Sequence, residues 1–100
     1  MLRRVVITGL GAVSPNGIGQ KEFWKNTCKG ISGIDRITSF DPVGLACQIA
    51  GEVTNFDPSL YYSAADLKKL PRTVPLAAAA THEALENAGI DLDNFSEEDF

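Results

Sequence analysis

The first apolar run of the chain predicts a strand that is covered on both faces. Val5 to Thr8 reads V-V-I-T, and Gly9 ends the run. All of these residues are β-branched, and apolar positions do not alternate with polar ones. Short runs of this kind are typical of strands buried inside a sheet.

A second segment, Cys47 to Val53, alternates between apolar and polar positions. It predicts a half-buried strand in which Gly51 permits a bend. Between the two segments, the glycines and the Asp41-Pro42 pair of residues 30–42 argue against a regular helix, so we predict a packed loop there. The positions expected to face inward are Cys47, Ile49 and Val53, with Gln48 and Glu52 on the opposite side.

Two stretches have the spacing of helices. Gln20 to Lys29 places Trp24 and Cys28 one turn apart, as it does Phe23 and Thr27, and Gly30 supplies a C-terminal stop. After one or two helical turns over Asp66–Leu70, a longer helix should begin near Val74, with Pro75 in its first turn. Gly89 fits a Schellman-type end in which Ile90 contacts Leu85. The apolar side of the longer helix is made mostly of small residues that would let neighbouring chain lie close, namely Leu76, Ala77, Ala80, Ala84, Leu85 and Ala88.

Composition indicates an ordinary globular protein. Of its 100 residues, 44% are hydrophobic and 22% are charged, and the formal net charge is −4. The last ten residues, D-L-D-N-F-S-E-E-D-F, carry much of the acidity, and no basic cluster suggests a nucleic-acid partner. No run is long enough to span a membrane or to form a signal peptide, so we expect a cytoplasmic protein.

The residues that most often carry chemistry are few. Cys28 and Cys47 match neither a zinc pattern nor a C-x-x-C pair; we interpret them as buried free thiols, although a disulfide stays open. His82 lies on the polar side of its helix with Glu83, Glu86 and Asn87, which favours a solvated side chain over a catalytic one. We therefore predict no catalytic residue, no metal site and no bound cofactor in this chain.

The glycines that follow the first strand raise the question of nucleotide binding. A dinucleotide fingerprint needs G-x-G-x-x-G at the start of a helix. Gly9 and Gly11 match, but Ser14 stands at the third position, and Pro15-Asn16-Gly17 then delays the helix. The glycines are better explained by a sharp turn that packs against neighbouring chain, and nucleotide binding stays as a minor alternative.

The stretch R-R-V-V-I-T-G-L-G-A-V-S-P-N-G resembles the amino-terminal signature of the β-ketoacyl-(acyl-carrier-protein) synthases. Further landmarks of that family follow in the same order: F-W-K, K-G-I-S-G-I-D-R-I-T-S-F-D-P, I-A-G-E-V-T-N-F-D-P and A-L-E-N-A-G-I-D. The resemblance covers essentially the whole chain. It implies the α/β thiolase-like fold of five αβαβα layers, of which residues 1–100 would be an incomplete amino-terminal part.

The resemblance also implies an activity and partners. Family members are homodimers that condense malonyl-carrier protein with an acyl group held on a cysteine, in fatty-acid or polyketide synthesis. Their nucleophile lies in a T-A-C segment beyond residue 100, and their two histidines follow it. Neither Cys28 nor Cys47 lies in the sequence context of that nucleophile, so this chain alone should be inactive. Expressed alone, it should also expose apolar surface and be prone to aggregate. A non-catalytic partner of the chain-length-factor type, or a truncated binding module, is the alternative.

One functional surface is implied within the chain. Family members present basic residues before the long helix to the acidic recognition helix of the acyl carrier protein, and Lys68 and Lys69 stand at matching positions. Ala64 and Ala65 stand where such enzymes often carry bases. A solvated face, with Arg72 in an internal ion pair, is the competing interpretation. Pro71 replaces a common acidic residue and should shift the start of the helix.

Overall fold

The computed structural model describes residues 2–60, 62–94 and 96, so the acidic end at 97–100 lies outside the described part. Within these described residues, the regular structure consists of two antiparallel pairs of short strands and three α-helices. In chain order the elements are β1 (Val13–Ser14), β2 (Gly17–Ile18), α1 (Gln20–Cys28), β3 (Ile34–Arg36), β4 (Ile49–Gly51), α2 (Ala64–Leu67) and α3 (Thr73–Ala88), with 3₁₀ turns at Pro58–Leu60 and Leu92–Asn94.

Both long helices end as the sequence predicts. In α1 the amide of Gly30, at φ 70°, donates to Thr27 O at 3.1 Å, and the Ile31 amide donates to Asn26 O at 2.9 Å. The end of α3 repeats this pair of bonds, with Gly89 also at φ 70° and the Ile90 amide 3.0 Å from Leu85 O. These are Schellman motifs, which need the left-handed conformation that glycine adopts without strain.

The start of α3 also follows the prediction. The helix begins at Thr73, one residue before the predicted position, and Pro75 is its third residue and is buried. A proline is tolerated there because the first amides of a helix have no intrahelical acceptor. The shorter α2 is capped by Ser63, whose Oγ accepts the Asp66 amide at 3.2 Å and donates to Asp66 Oδ2 at 2.8 Å.

The first predicted strand is wrong for the described part of the chain. Val5 to Thr8 has no ladder partner among the described residues and is not part of either strand pair. The side chains are exposed, Val5 by 93% and Ile7 by 83%. A strand exists only with a hydrogen-bonded neighbour, and the described residues place none beside this segment.

The hairpin formed by β3 and β4 corrects two further predictions. β3 lies inside the predicted loop and pairs with β4 in the register Arg36↔Ile49, Asp35↔Ala50 and Ile34↔Gly51. The phase of the second strand is reversed over most of its length, since Gln48, Ala50 and Glu52 are half-buried and Cys47 and Ile49 are exposed. Val53 is half-buried, as predicted. The carboxylate of Glu52 accepts hydrogen bonds from the amides of Thr38 and Ser39 in the hairpin loop, which accounts for the half-buried position of Glu52.

Both cysteines are free, as predicted, but the expectation that they are buried is wrong. Cys28 and Cys47 are exposed. Cys28 lies on the outer side of α1, and Cys47 follows the reversed phase of its strand.

The tightest packing joins α3 to the glycine-rich segment before β1. A Cβ at Gly9 would lie 2.8 Å from the Cβ of Ala88, and one at Gly11 would overlap the carbonyl of Ala80. The prediction that the glycines and the small residues of α3 allow close approach is therefore confirmed. The exception is Ala77, which is exposed, whereas Ala79 is buried with 5% exposure.

Candidate functional site

A polar junction made by Glu83 holds three parts of the chain together. Its Oε1 accepts the Ala12 amide at 2.9 Å and the Gln20 amide at 3.0 Å. Its Oε2 accepts the same Gln20 amide at 3.1 Å, and one turn further along α3 the Oδ1 of Asn87 accepts the Leu10 amide at 3.1 Å. The polar face of α3 is therefore a binding face for the segment that precedes α1.

The junction compensates for a missing cap. Gly19 precedes α1 and has no side chain to accept the first amides of that helix. A carboxylate at a helix N-terminus satisfies those amides and interacts favourably with the helix dipole. Glu83, on α3, thus caps the N-terminus of α1. We interpret its role as structural anchoring and not as acid–base catalysis.

Sequence reasoning missed this role. Glu83 was placed on a solvated face, although Glu83 and Asn87 are four residues apart on one helix face. Two features of the sequence could have indicated this role. Glu83 and Asn87 are two hydrogen-bond acceptors on one helix face, and the predicted helix from Gln20 has only Gly19 at its N-cap position. The neighbouring His82 is exposed as predicted, with its Nε2 3.2 Å from Glu86 Oε1.

Glu52 makes a second carboxylate cluster, at the base of the β3–β4 hairpin. Its Oε1 accepts the Thr38 amide at 2.7 Å and the Thr38 hydroxyl at 3.1 Å, and its Oε2 accepts the Ser39 amide at 3.0 Å. Hydrogen bonds from the Ser39 side chain and from the Thr38 amide are the largest causes that lower the pKa of Glu52 from 4.5 to about 2. The cluster closes the hairpin loop with an ionised carboxylate.

Lys68 and Lys69 are presented to solvent by the turn that joins α2 to α3. The amides of Lys69 and Leu70 both donate to Asp66 O, at 3.0 and 3.2 Å, so the turn is tightly wound. Leu67 and Leu70 are half-buried, and the two lysines between them are exposed. Neither lysine makes an ion pair with another residue of the described part.

Arg72 has a partner, but it is not the acidic one expected. Its Nη2 donates to Val53 O at 2.6 Å, which ties the start of α3 to the chain that leaves β4. The internal ion pair considered for Arg72 is therefore replaced by a bond to the backbone. Arg72 also borders an apolar cleft behind Leu67 and Leu70.

The described residues do not form a metal site or a dinucleotide-binding site, the other kinds of site considered from the sequence. They contain no group of three or more His, Cys, Asp or Glu side chains able to hold a metal ion. Gly9 and Gly11 face the backbone of α3, so a pyrophosphate could not approach them as in a dinucleotide fold. Within the described residues, no helix has both the length and the apolar character needed to cross a membrane.

Comparison with known proteins decides the family. The family model described as "Beta-ketoacyl synthase, N-terminal domain" matches residues 2–100. The chain belongs to the β-ketoacyl synthase family. Its resemblance to that family, drawn from the sequence, is confirmed.

Relatives of this β-ketoacyl synthase chain include 3-oxoacyl-[acyl-carrier-protein] synthases and a subunit of a polyketide synthase. It is 37% identical over 92 residues to the 3-oxoacyl-[acyl-carrier-protein] synthase 2 of Staphylococcus aureus (strain N315), covering 92% of this chain and 22% of the relative. It is 42% identical over 87 residues to the tetracenomycin polyketide synthase ketoacyl synthase beta subunit of Streptomyces glaucescens, covering 87% of this chain and 21% of that protein. The chain thus spans about a fifth of the length of these curated relatives.

A solved structure confirms the fold class. The ishigamide ketosynthase/chain length factor matches with a TM-score of 0.82 and 36% identity, over 95% of this chain and 24% of the solved one. The fold is therefore the α/β thiolase-like fold of the ketosynthases, of which the chain forms an amino-terminal part.

Proposed function

We propose that this chain is the amino-terminal segment, residues 1–100, of a β-ketoacyl-(acyl-carrier-protein) synthase. The observation that carries the proposal is the family match over residues 2–100, together with 37% identity to a 3-oxoacyl-[acyl-carrier-protein] synthase 2. The assignment implies an acyltransferase of fatty-acid or polyketide synthesis. It also implies a cytoplasmic homodimer that uses the acyl carrier protein and needs no cofactor.

The proposed reaction proceeds in two transfers. A cysteine thiolate attacks the thioester of the acyl-carrier protein, and the carrier thiol leaves. Malonyl-carrier protein then loses carbon dioxide, and its carbanion attacks the acyl-enzyme carbonyl. The oxyanion that forms is stabilised by amides near the cysteine, and collapse releases the thiolate and a β-ketoacyl-carrier protein.

None of the chemical groups for these steps is assigned to this chain. Cys28 and Cys47 are exposed at a helix end and beside a hairpin strand. His82 pairs with Glu86 and not with a thiol. We therefore propose that residues 1–100 supply scaffold and part of the carrier contact, and that the isolated chain is inactive.

A second function has a specific observation in its favour. The 42% identical relative is a ketoacyl synthase beta subunit, and the solved structure is described as a ketosynthase/chain length factor. A non-catalytic chain-length-factor partner, or a truncated binding module, is therefore the alternative. A cysteine in a T-A-C segment beyond residue 100 would favour the enzyme, and another residue there would favour the partner.

The deciding experiment begins with the intact mass of the native polypeptide, detected through a peptide of residues 1–100. A mass several-fold above 10.7 kDa would call for an assay of that complete protein with acyl- and malonyl-carrier proteins. We expect β-ketoacyl-carrier protein and carbon dioxide in equal amounts. Decarboxylation or condensation only in the presence of a second ketosynthase subunit would support the alternative. A native mass of 10.7 kDa would contradict the enzyme assignment.

The carrier contact is proposed at Lys68 and Lys69. Their exposure and their lack of ion-pair partners among the described residues support it. Replacing both by Glu in the complete protein should raise KM for the carrier protein with little change in kcat, because attraction to an acidic surface is lost. The matched control is Lys21→Glu with Lys25→Glu on α1. An unchanged KM would contradict the assignment.

A further inference from the structure

The turn between β1 and β2 contains the only Asn-Gly pair of the sequence. Ser14 pairs with Gly17 in the β1–β2 ladder, so Pro15 and Asn16 form a two-residue turn. In an Asn-Gly pair the amide nitrogen of the glycine follows the asparagine side chain directly, and glycine has no side chain to hinder its approach to the side-chain carbonyl carbon. Asn16 is therefore the asparagine of this chain whose sequence context most favours deamidation.

The reaction is the loss of ammonia from the side chain through a cyclic imide. After hydroxide has removed its proton, the amide nitrogen of Gly17 attacks Cγ of Asn16, and a new C–N bond forms. The Cγ–Nδ2 bond then breaks, and Nδ2 leaves as ammonia after taking a proton from water. Water opens the succinimide at either of its carbonyls, which leaves aspartate or isoaspartate at position 16. Water is the only co-reactant, and nothing is oxidised or reduced.

Hydrogen bonds hold the amide group of Asn16 at both ends. Its Oδ1 accepts the Ser14 hydroxyl at 2.8 Å, and its Nδ2 donates to Thr27 Oγ1 and to Ile31 O, each at 3.3 Å. The backbone carbonyl of Asn16 accepts a further bond from Asn26 Nδ2. Attack makes the planar Cγ tetrahedral, so Oδ1 and Nδ2 must leave these partners before the reaction can proceed.

The neighbouring glycine is held by packing. A Cβ at Gly17 would lie 2.6 Å from the backbone nitrogen of Phe23, so the approach of the turn to α1 requires glycine at this position. The same packing restricts movement of the Gly17 amide towards Asn16. The fold thus requires the glycine that makes the pair reactive, and it also restrains both reacting groups.

We propose that Asn16 is a deamidation site that the folded β1–β2 turn protects and that reacts when this turn opens locally. The change would be one-way. A carboxylate has no hydrogen to donate to Thr27 or Ile31, and isoaspartate adds a methylene to the main chain of a two-residue turn, so the contacts between the turn and α1 could not form again as before. The proposal does not depend on the reaction assigned to the complete protein.

The test compares the complete protein that contains this chain with a synthetic peptide of residues 10–22 as the unfolded reference. Both are incubated in the same mildly alkaline buffer. Mass spectrometry measures the converted fraction at Asn16, and enzymatic methylation counts isoaspartate. The peptide should convert at least about tenfold faster than the folded protein, because the turn must open before Gly17 can attack. In the protein denatured in urea, Asn16 should convert faster than Asn55, which precedes the bulky Phe56.

Variants of the complete protein test the hydrogen bonds that protect the site. Thr27→Val removes an acceptor of Asn16 Nδ2, and Ser14→Ala removes the donor to Oδ1; each should speed conversion about threefold to tenfold. The matched control is Thr81→Val on α3. Both threonines are exposed, and the hydroxyl of each donates to the carbonyl four residues earlier, at 2.7 Å for Thr27 and 2.8 Å for Thr81. Only Thr27 also contacts Asn16, so the control should convert like the unaltered protein.

Three results would overturn the proposal. Equal conversion rates in the folded protein and in the peptide would mean that the turn gives no protection. Rates for Thr27→Val and Ser14→Ala no higher than for Thr81→Val would mean that the hydrogen bonds do not control the site. In the denatured protein, conversion of Asn16 no faster than that of Asn55 would mean that the pair is not reactive. Circular dichroism checks that each variant is folded, and the exposed Thr27→Val decides the matter if Ser14→Ala unfolds.

Discussion

At the scale of single residues, two carboxylates join segments that are distant in the chain by accepting hydrogen bonds from backbone amides. Glu83 links α3 to Ala12 and to the start of α1, more than sixty positions away in the chain. Glu52 fixes Thr38 and Ser39 across the hairpin. The two glutamates can be read from the sequence, but their hydrogen-bond partners cannot. Every residue except proline has a backbone amide, so the sequence does not show which amides lack an acceptor.

Replacing Glu83 tests the first of these anchors. In the complete protein, Glu83→Ala should lower the free energy of unfolding by about 1–3 kcal/mol, because amides of Ala12 and Gln20 lose a charged acceptor. Glu83→Gln should cost less, since its amide oxygen can still accept one of the bonds. Glu86→Gln, at a side chain 72% exposed, is the control and should be nearly neutral. Denaturant unfolding measures all three, and equal stability of Glu83→Ala and Glu86→Gln would refute the anchoring role.

The pKa of Glu52 gives a prediction about pH. Its folded value of about 2 lies below the ordinary 4.5, so its bonds stabilise the hairpin above pH 4.5 and are lost as the pH falls from 4.5 towards 2. The Thr38 and Ser39 amide resonances should therefore stay unchanged down to about pH 3. An NMR titration checks this, with Glu52→Gln as the variant that lacks the titration. A midpoint near 4.5 for these amides would contradict the assignment.

At the scale of elements, the two long helices could be predicted, whereas the pairing and phase of the strands could not. The bounds of α1 and α3 follow from local signals: spacing, a proline in the first turn, and Gly30 and Gly89 at the ends. Three predictions about strands fail: Val5 to Thr8 has no described partner, β3 lies in a predicted loop, and most of β4 has the opposite phase. The short helix predicted over Asp66–Leu70 is displaced as well, since α2 spans Ala64–Leu67. Pairing and burial of a strand depend on distant chain, which local pattern does not encode.

The element α2 offers a gain-of-function prediction. Ala65 is exposed and lies on the same short helix that leads to Lys68. If the proposed carrier contact at Lys68 and Lys69 holds, Ala65→Lys should tighten carrier binding about twofold to fivefold at low salt, because a third positive charge would face the acidic carrier. The gain should vanish at high salt. Val43→Lys in the hairpin loop serves as the control in the same titration, and equal effects of the two substitutions would rule out a local contact.

At the scale of the whole molecule, the chain exposes far more surface than its mass calls for. Its accessible surface is 8130 Å², whereas a compact 10.7 kDa monomer exposes about 5,500 Å². Its radius of gyration is 17.4 Å, against roughly 13 Å for a compact domain of this length. Among the described residues only Pro42, Pro75 and Ala79 are buried. This geometry suits a segment whose apolar surface is covered by further chain, as the family match to much longer relatives suggests.

The difference between the exposed apolar surface of this chain and the covered surface expected in a longer protein predicts which amides will be protected from hydrogen exchange. Val5 to Ile7 are apolar and exposed in this chain. In the proposed complete protein, further chain would cover these side chains, and the strand predicted here would pair their amides with a neighbouring strand. In the complete protein these amides should exchange as slowly as those of α3. In residues 1–100 expressed alone they should exchange at rates near those of an unfolded peptide, with no sharp melting transition and with a tendency to aggregate. Hydrogen–deuterium exchange of both proteins makes the comparison, and the α3 amides serve as the internal reference. Fast exchange of Val5 to Ile7 in the complete protein would mean that the buried strand predicted from V-V-I-T does not form there either.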